Sequence, residues 1–239
     1  MARAKTAKSK PSLLGMLLRR LLRWLLWLLV VALLLIACLR WVDPPGSSVI
    51  WQATIKAWRE GGPGPAYTWK SWDHISTHLP LAVVAAEDQR FPLHHGIDLI
   101  ELGEAIRQGG RRGASTISQQ VVKNLFLWQG RSYLRKAIEA PLSLYIDAVW
   151  GKQRVLEVYL NIAYFGGNNY GAEAASRAYF NKSAKRLNRH EAARLAATLP
   201  NPDRYSATHA SQHTVDRQQW ILRQMRRLGG QRYLEQITR

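Results

Sequence analysis

The sequence predicts a mostly α-helical domain that follows a single N-terminal transmembrane helix, and three observations support this fold class. Residues 24–39 form an unbroken apolar run rich in leucine, close to the length that a spanning helix needs. After residue 72, apolar residues recur with helical spacing, and the alternation typical of strands is almost absent. The chain has 239 residues, 47% of them hydrophobic, which is enough for one core and an anchor and excludes a disordered or collagen-like chain.

The apolar run is interpreted as a retained transmembrane helix. Leu21–Leu39 is apolar except at Arg23. A cleavable signal peptide is the alternative, but the run is longer than the apolar region of such peptides and ends in Ala-Cys-Leu-Arg, without a small-x-small cleavage site. The first 39 residues carry seven Lys and Arg residues and no acid. By the positive-inside rule, the N-terminus is cytoplasmic and the rest of the chain lies outside.

The charge of the chain indicates an anionic partner. The formal net charge is +18, from 34 Lys and Arg residues against 16 Asp and Glu residues, and most of this excess follows the apolar run. Anionic lipid headgroups and lipid-linked phosphates are available on the outer side, whereas nucleic acid is not expected there. Cys38 is the single cysteine, so neither an intramolecular disulfide nor a multi-cysteine metal site can form.

Residues 43–72 are predicted to form a loop-rich stalk or small lobe. Eight Pro and Gly residues lie between positions 44 and 65, which leaves room for at most one short helix. Tryptophan is frequent just after the apolar run, as is typical at the level of lipid headgroups, and ordinary core positions are the alternative. These tryptophans are Trp41, Trp51, Trp58, Trp69 and Trp72.

The 3.6-residue periodicity divides the remaining chain into helical segments. They cover about residues 79–88, 98–108, 115–128, 131–149, 152–163, 170–180, 189–198 and 210–227. Pro141 lies inside the segment 131–149 and is expected to kink or end that helix. No fixed period of self-similarity is visible, so a repeat solenoid is not expected.

Two adjacent acids, Glu87 and Asp88, end the apolar segment 79–86 and are followed by Gln-Arg-Phe-Pro-Leu-His-His-Gly. A carboxylate at the end of a buried helix is partly desolvated, which raises its pKa and suits a general acid or base. The alternative is a solvated helix end without a chemical role.

A glycine-rich basic loop, Gly109–Gly113, leads into Ala-Ser-Thr-Ile-Ser-Gln-Gln. Ser115 is expected to be the helix N-cap, and the free N–H groups and hydroxyls there suit a phosphate. Gln119, Gln120 and Lys123 follow on the first turns. A surface loop with a capped helix is the alternative; an RNA-binding Gly/Arg segment does not agree with the expected topology.

Basic residues surround a second acid further along the chain. Arg131, Arg135 and Glu139 are each four residues apart, with Lys136 adjacent, so the first three share one helical face. This face is either a surface ion-pair ladder or an anion-binding face that includes an acid. The spacing does not decide between the two.

Other candidates have little support. The pairs His74/His78 and His209/His213 have helical spacing, but neither has the glutamate of the zinc-protease motif, and no metal site is assigned. The motifs of serine acyl-transfer enzymes do not occur. Glu157 is interpreted as structural, as is Asn161.

Five segments, in this order, resemble the motif set of the peptidoglycan glycosyltransferases, glycosyltransferase family 51. They are EDQRFPLHHG at 87–96, GASTISQQ at 113–120 with Lys123 and Asn124, RKAIE at 135–139, KQRVLEVYLN at 152–161 and RAYFNKSA at 177–184. Five motifs in this order behind a single anchor are specific evidence for a resemblance to this family. The chain is most similar to the monofunctional, biosynthetic branch, since it has no penicillin-binding motif. Ala114, where the family often has a second glycine, and Pro141 depart from the pattern.

The resemblance implies a mostly α, lysozyme-like glycosyltransferase domain with a small membrane-proximal lobe. The expected divisions are a basic cytoplasmic tail at 1–20, the transmembrane helix at 21–42, the stalk or small lobe at 43–72 and the glycosyltransferase domain at 73–239. The implied activity is polymerisation of lipid II into β-1,4 glycan strands with release of undecaprenyl diphosphate, without transpeptidase activity. The implied location is the periplasmic face of the bacterial inner membrane, and the implied partners are lipid II, the growing glycan and cell-wall synthesis or division proteins.

The resemblance also implies residue roles. Glu87 is the expected catalytic base, and Glu139 is the expected second catalytic acid near the donor. The expected substrate-binding residues are Asp88, Phe91, His94, Ser115, Thr116, Gln119, Gln120, Lys123, Asn124, Arg131, Arg135 and Lys136. A divalent cation, Mg²⁺ or Mn²⁺, is expected at the diphosphate with no ligand set assigned, and no organic cofactor is expected.

Two other function classes stay open at this point. A lysozyme-like hydrolase or lytic transglycosylase also needs one partly buried glutamate, but it needs neither the basic cluster nor the anchor. A non-catalytic cell-wall scaffold would leave Glu87 replaceable.

Overall fold

The computed structural model describes residues 13–109, 113–130 and 132–238, and it confirms the mostly helical prediction. Each predicted helical segment contains a helix whose ends lie within two residues of those expected. The helices are α1 Leu13–Cys38, α2 Ser48–Glu60, α3 His78–Glu87, α4 Leu99–Arg107, α5 Ile117–Phe126, α6 Tyr133–Trp150, α7 Lys152–Ile162, α8 Gly171–Phe180, α9 Arg189–Thr198 and α10 Gln212–Arg227. Two short parallel strands, β1 Ala66–Tyr67 and β2 Asn169–Tyr170, pair with each other.

Helix α1 belongs to a compact unit that ends at Val42, and a second unit begins at Asp43. Its 26 residues have a mean hydropathy of 2.6 over the most apolar window, and none of them is buried in the protein. This length and composition suffice to cross a membrane. The helix begins at Leu13, inside the segment expected to be the basic tail. Helical geometry does not mark where a bilayer starts, so the limits 21–42 stay a prediction.

The segment 43–72 contains a longer helix than expected. Helix α2 has 13 residues, begins after the N-cap Ser47 and ends before the C-cap Gly61, whose φ of 66° is left-handed. The Ser48 hydroxyl donates a 2.6 Å hydrogen bond to the carbonyl of Leu127. Helix α2 therefore packs beside the end of α5.

Helix α3 forms the centre of the domain. It is apolar on all sides, so it is stable only when other helices surround it. Leu79–Ala85 is buried, and α9 and α10 pack against the helix. The helix ends at Glu87, so this acid lies at the C-terminal end of a buried helix.

Helix α5 is the second buried helix and contacts α6 and α7. Its N-cap is Thr116, so the prediction of Ser115 was wrong. Thr116 Oγ1 accepts from the Gln119 N–H at 3.2 Å, and Gln119 Oε1 accepts from the Thr116 N–H at 3.0 Å. This reciprocal pair satisfies two donors at once. Both residues are buried.

Helix α6 continues through Pro141 to Trp150, so the proline does not end the helix, and the kink stays a prediction. Pro141 removes one backbone donor. The second half of the helix nevertheless buries Ile146 and Trp150, and α5 and α7 pack against α6. This packing outweighs the loss of one backbone hydrogen bond.

Candidate active site

Glu87 lies at the C-terminal end of α3 and is half-buried. Its Oε2 atom accepts a hydrogen bond from Gln120 Nε2 at 2.9 Å. Gln120 Oε1 in turn accepts from the hydroxyl of Tyr159, a fully buried side chain of α7, at 3.3 Å. The tyrosine thereby fixes the amide of Gln120 with its donor toward the carboxylate. No hydrogen bond from the described residues reaches Oε1 of Glu87, so this oxygen can accept from a ligand.

Burial raises the pKa of Glu87, and it is the largest influence on that group. The hydrogen bond from Gln120 opposes the rise in pKa, as do the positive charges of Arg217 and Lys123. The negative charge of Asp88 adds to it. A carboxylate with a raised pKa is a stronger base than an ordinary one and suits proton abstraction near neutral pH.

Asp88 follows directly and is buried. Nε2 of His94 lies 3.0 Å from both of its carboxylate oxygens, and Oδ2 also accepts from the Ile117 N–H at 3.0 Å. The helix dipole of α5 favours this anion at its first turn. Phe91 is fully buried and packs edge-to-face on His94, with ring centroids 6.1 Å apart. Asp88 thus joins the end of α3 to the start of α5.

A cavity of about 690 Å³ opens beside Glu87, and we call it the Glu87 cavity. Acids form one side of it, while α5 and α10 supply cations and an aromatic ring. Its lining includes Glu87, Asp88, Asp98, Glu101, Gly113, Ala114, Ser115, Thr116, Gln120, Lys123, Leu199, Arg217 and Trp220. The volume is in the range of ligand-binding cavities.

A second cavity of about 580 Å³, the α2 cavity, lies between α2, α5 and the residues after α7. It is lined by Val49, Gln52, Ala53, Lys56, Gln120, Lys123, Asn124, Gln129, Tyr159, Ala163, Tyr164, Tyr170, Leu199 and Pro202. Gln120, Lys123 and Leu199 border both cavities. Two ligands can therefore approach Lys123 from two sides.

The basic cluster predicted on α6 forms around Glu139, which is only 2% exposed. Arg135 Nη1 donates to Glu139 Oε2 at 2.5 Å, and the Lys136 ammonium donates to Oε1. The same ammonium donates to the Ser115 hydroxyl at 3.2 Å. This contact connects α6 with the loop that lines the Glu87 cavity.

Lys123 lies within the electrostatic range of both acids. Burial lowers the pKa of its ammonium the most; the charges of Glu139 and Glu87 raise the pKa, and those of Arg135 and Lys136 lower it. Among the described residues the ammonium has neither a hydrogen bond nor a salt bridge. A desolvated cation without a fixed partner is well suited to bind an anion.

The structure separates the predicted site residues into three groups. Glu87, Asp88, Ser115, Thr116, Gln120, Lys123 and Asn124 line a cavity. Arg135, Lys136 and Glu139 form the cluster on α6 beside them. Phe91, His94 and Gln119 are buried and have internal contacts. Arg131 lies outside the described residues, as do residues 110–112 of the glycine-rich loop.

One group could hold a metal by its composition. Single ligand atoms of Asp88, His94 and Asp98 lie within 4.8 Å of one another. Their oxygens are already occupied, however, because Asp98 accepts from Arg90 Nε at 2.9 Å and from the Ile100 N–H at 3.0 Å. Asp88 accepts from Ile117 and contacts His94. These residues fit an internal ion-pair network better than a divalent cation, which requires free carboxylate oxygens.

Sequence reasoning missed the contribution of α10. Arg217 Nη2 donates to the carbonyl of Ala86 at 2.9 Å, and its guanidinium lies 4.2 Å from the centroid of the Trp220 ring. A spacing of three residues places Arg217 and Trp220 on one face of α10. No sequence signal indicated that this face meets the end of α3.

A transglycosylase family model matches residues 56–226. The biosynthetic peptidoglycan transglycosylase of Pseudomonas aeruginosa is 46% identical over 232 residues, which cover 95% of this chain and 100% of that protein. The protein of the same name from Pseudomonas fluorescens is 47% identical, covering 95% and 96%. That from Xanthomonas campestris pv. campestris is 49% identical, covering 91% and 92%. The match spans more than half of the chain and includes all of the residues that line the Glu87 cavity, and on this evidence the chain belongs to the transglycosylase family.

Proposed function

We propose that this protein is a peptidoglycan glycosyltransferase that polymerises lipid II into β-1,4 glycan strands and releases undecaprenyl diphosphate, without transpeptidase activity. The observation that carries the proposal is the arrangement around Lys123. The lysine interacts electrostatically with Glu87, a base with a raised pKa, and with Glu139, a buried acid that is paired with two cations. A hydrolase of glycan needs a raised-pKa acid, but it has no anionic leaving group that needs the cations.

Glu87 acts as the general base on the 4-hydroxyl of the acceptor sugar. Its Oε1 atom accepts the hydroxyl hydrogen, while Gln120 holds Oε2. The acceptor oxygen forms a bond to C1 of the donor, the bond from C1 to the diphosphate breaks, and the diphosphate leaves with the electron pair. The proton moves to Glu87. Asp88 keeps the end of α3 in place through Ile117 and His94.

The leaving diphosphate gains negative charge, so cations have to lie beside it in the transition state. Lys123, Arg135 and Lys136 are the described residues that supply this charge. Glu139 holds Arg135 and Lys136 in one place, so its proposed role as the second acid near the donor is to orient these two cations. Arg131 belongs to the same proposal by its motif position.

A divalent cation at the diphosphate stays an expectation. The described residues offer no set of free carboxylate oxygens for it, since the Asp88 group is internally paired and Glu139 binds two cations. Mg²⁺ is commonly held by substrate phosphates and water. No step of the proposed mechanism depends on a protein-bound metal.

The proposed location is the bacterial inner membrane, with the N-terminus in the cytoplasm and the domain in the periplasm. The apolar helix α1 and the basic residues before it support this orientation. Helix α2 adds a second membrane contact, because Trp51, Ile55 and Trp58 share one exposed face. Partner proteins of cell-wall synthesis or division are part of the proposal without a surface assigned.

The test uses the full-length protein in detergent with labelled lipid II and Mg²⁺, followed by muramidase digestion, with Glu87→Gln in parallel. We expect muramidase-sensitive polymer from the unsubstituted protein alone. Cleavage of preformed glycan without polymer would instead identify a hydrolase. If the protein shows neither activity, the scaffold hypothesis remains. If the Glu87→Gln variant forms polymer, Glu87 is not the base.

A further inference from the structure

Helix α10 forms a wall of the Glu87 cavity through two side chains, Arg217 and Trp220. Ile221, Leu222 and Met225 of the same helix are buried and pack into the core. Helices α3 and α9 are the neighbours of α10. The orientation of the wall is therefore set by the core and not by a ligand.

Arg217 ties this wall to the end of α3. Its Nη2 atom donates to the carbonyl of Ala86, the residue directly before Glu87, and its guanidinium stacks on Trp220 at 4.2 Å. Guanidinium stacking on an indole is favourable and restricts both side chains. The position of the indole is thus coupled to the position of the carboxylate.

Trp220 is half-buried, so part of its ring is open to the cavity. Within the part of the chain that the structure describes, nothing accepts a hydrogen bond from its indole N–H. The residue offers an apolar surface with one free donor at its edge. A pyranose ring has the complementary chemistry, since its C–H groups form an apolar face and its hydroxyl and acetamido oxygens lie around the rim.

We infer that Trp220 is a stacking subsite for the sugar ring whose hydroxyl reacts at Glu87. Arg217 is then a positioning residue, because it fixes the position of the Trp220 ring relative to the Glu87 carboxylate. The inference rests on the proposed function, which makes that sugar the terminal N-acetylglucosamine of the acceptor. The stacked ring directs its reacting hydroxyl toward Oε1 of Glu87. Loss of the ring should raise KM for the acceptor more than it lowers kcat.

The first test compares Trp220→Leu, which removes the aromatic face, with Trp220→Phe, which keeps one. Trp72→Leu is the matched control, because Trp72 is half-buried and lines neither cavity. Lipid II polymerisation and thermal unfolding are measured for each full-length variant. We expect Trp220→Leu to lower kcat/KM at least tenfold, mainly through KM, while Trp220→Phe stays within about threefold and the control is unchanged. Unaltered kinetics of Trp220→Leu, or equal losses in both Trp220 variants, would overturn the inference.

The second test does not depend on polymerisation. Saturation-transfer NMR with methyl N-acetyl-β-glucosaminide reports which protons of the sugar contact the protein. In the Glu87→Gln protein we expect transfer to the ring C–H protons, and we expect its loss in Glu87→Gln/Trp220→Leu. Transfer that persists in the double variant would refute the subsite even if the enzyme polymerises lipid II. An absence of polymer with intact transfer would reject the proposed function alone.

Discussion

Replacing Lys123 with methionine separates function from stability more clearly than any other substitution in the site. Methionine has nearly the length of lysine but no charge. The ammonium borders both cavities and has no fixed partner among the described residues. If it binds the diphosphate, the variant loses a charge-assisted hydrogen bond of about 1.5–3 kcal/mol. This corresponds to a fall in kcat/KM of roughly 10- to 150-fold.

The same substitution should not destabilise the fold. Burial lowers the pKa of Lys123 below its ordinary value of 10.5, so the charged form is less favourable in the folded protein than in the unfolded chain. That cost is fully present at pH values below the lowered pKa and disappears as the pH rises above 10.5. Lys123→Met should therefore have an equal or higher Tm at pH 7.

The matched control is Lys182→Met, because the Lys182 ammonium is paired with Glu191 at 2.7 Å away from both cavities. This variant should keep kcat/KM and lose a little stability, the opposite pattern. Lipid II kinetics and thermal unfolding of both full-length variants are the assay. The reasoning is refuted if Lys123→Met keeps kcat/KM within twofold, or if its Tm falls as that of the control does.

Three further predictions follow from the same contacts. Arg217→Gln removes a charge that opposes the rise in the pKa of Glu87, so the acidic limb of the kcat/KM profile should move to higher pH; a limb that stays in place would contradict this. Burial raises the pKa of the Glu87 carboxyl group, so Glu87→Gln should increase Tm at pH 8. The gain in Tm should vanish below pH 4.5, the ordinary pKa of glutamate; an equal gain at both pH values would point to another cause. Thr116→Ala removes the N-cap of α5 and should cost about 1–2 kcal/mol in urea unfolding, with Thr116→Ser as the restoring control.

The structure alone shows how the predicted residues divide between the cavities and the core. Glu87 and Lys123 line cavities, and their motif positions had marked them. Phe91 and His94 belong to the same motif as Glu87, yet they are buried behind Asp88. A motif records which residues occur together, whereas the direction of each side chain depends on helices that are distant in the sequence.

The N-cap of α5 and the contacts of α10 are two further features that depend on residues distant in the sequence. Ser115 and Thr116 are both acceptable N-caps by residue type. In the structure Thr116 is the N-cap, and its hydroxyl also donates a 2.6 Å hydrogen bond to the carbonyl of Gly96. Arg217 and Trp220 were only members of a predicted helix. Their link to Ala86 spans 131 residues of chain, and local periodicity carries no information about such a distance.

The sequence by itself determined the helical segments, the apolar N-terminal helix and the family, because periodicity, length and ordered motifs are local properties that the chain displays before it folds. Only the tertiary structure decided that Gln120 holds Glu87, that Lys123 interacts with both Glu87 and Glu139 and that Trp220 forms part of a wall of the cavity. The physical reason is that burial and hydrogen-bond partners arise from packing between distant segments, and packing sets both the pKa of each acid and the space around it.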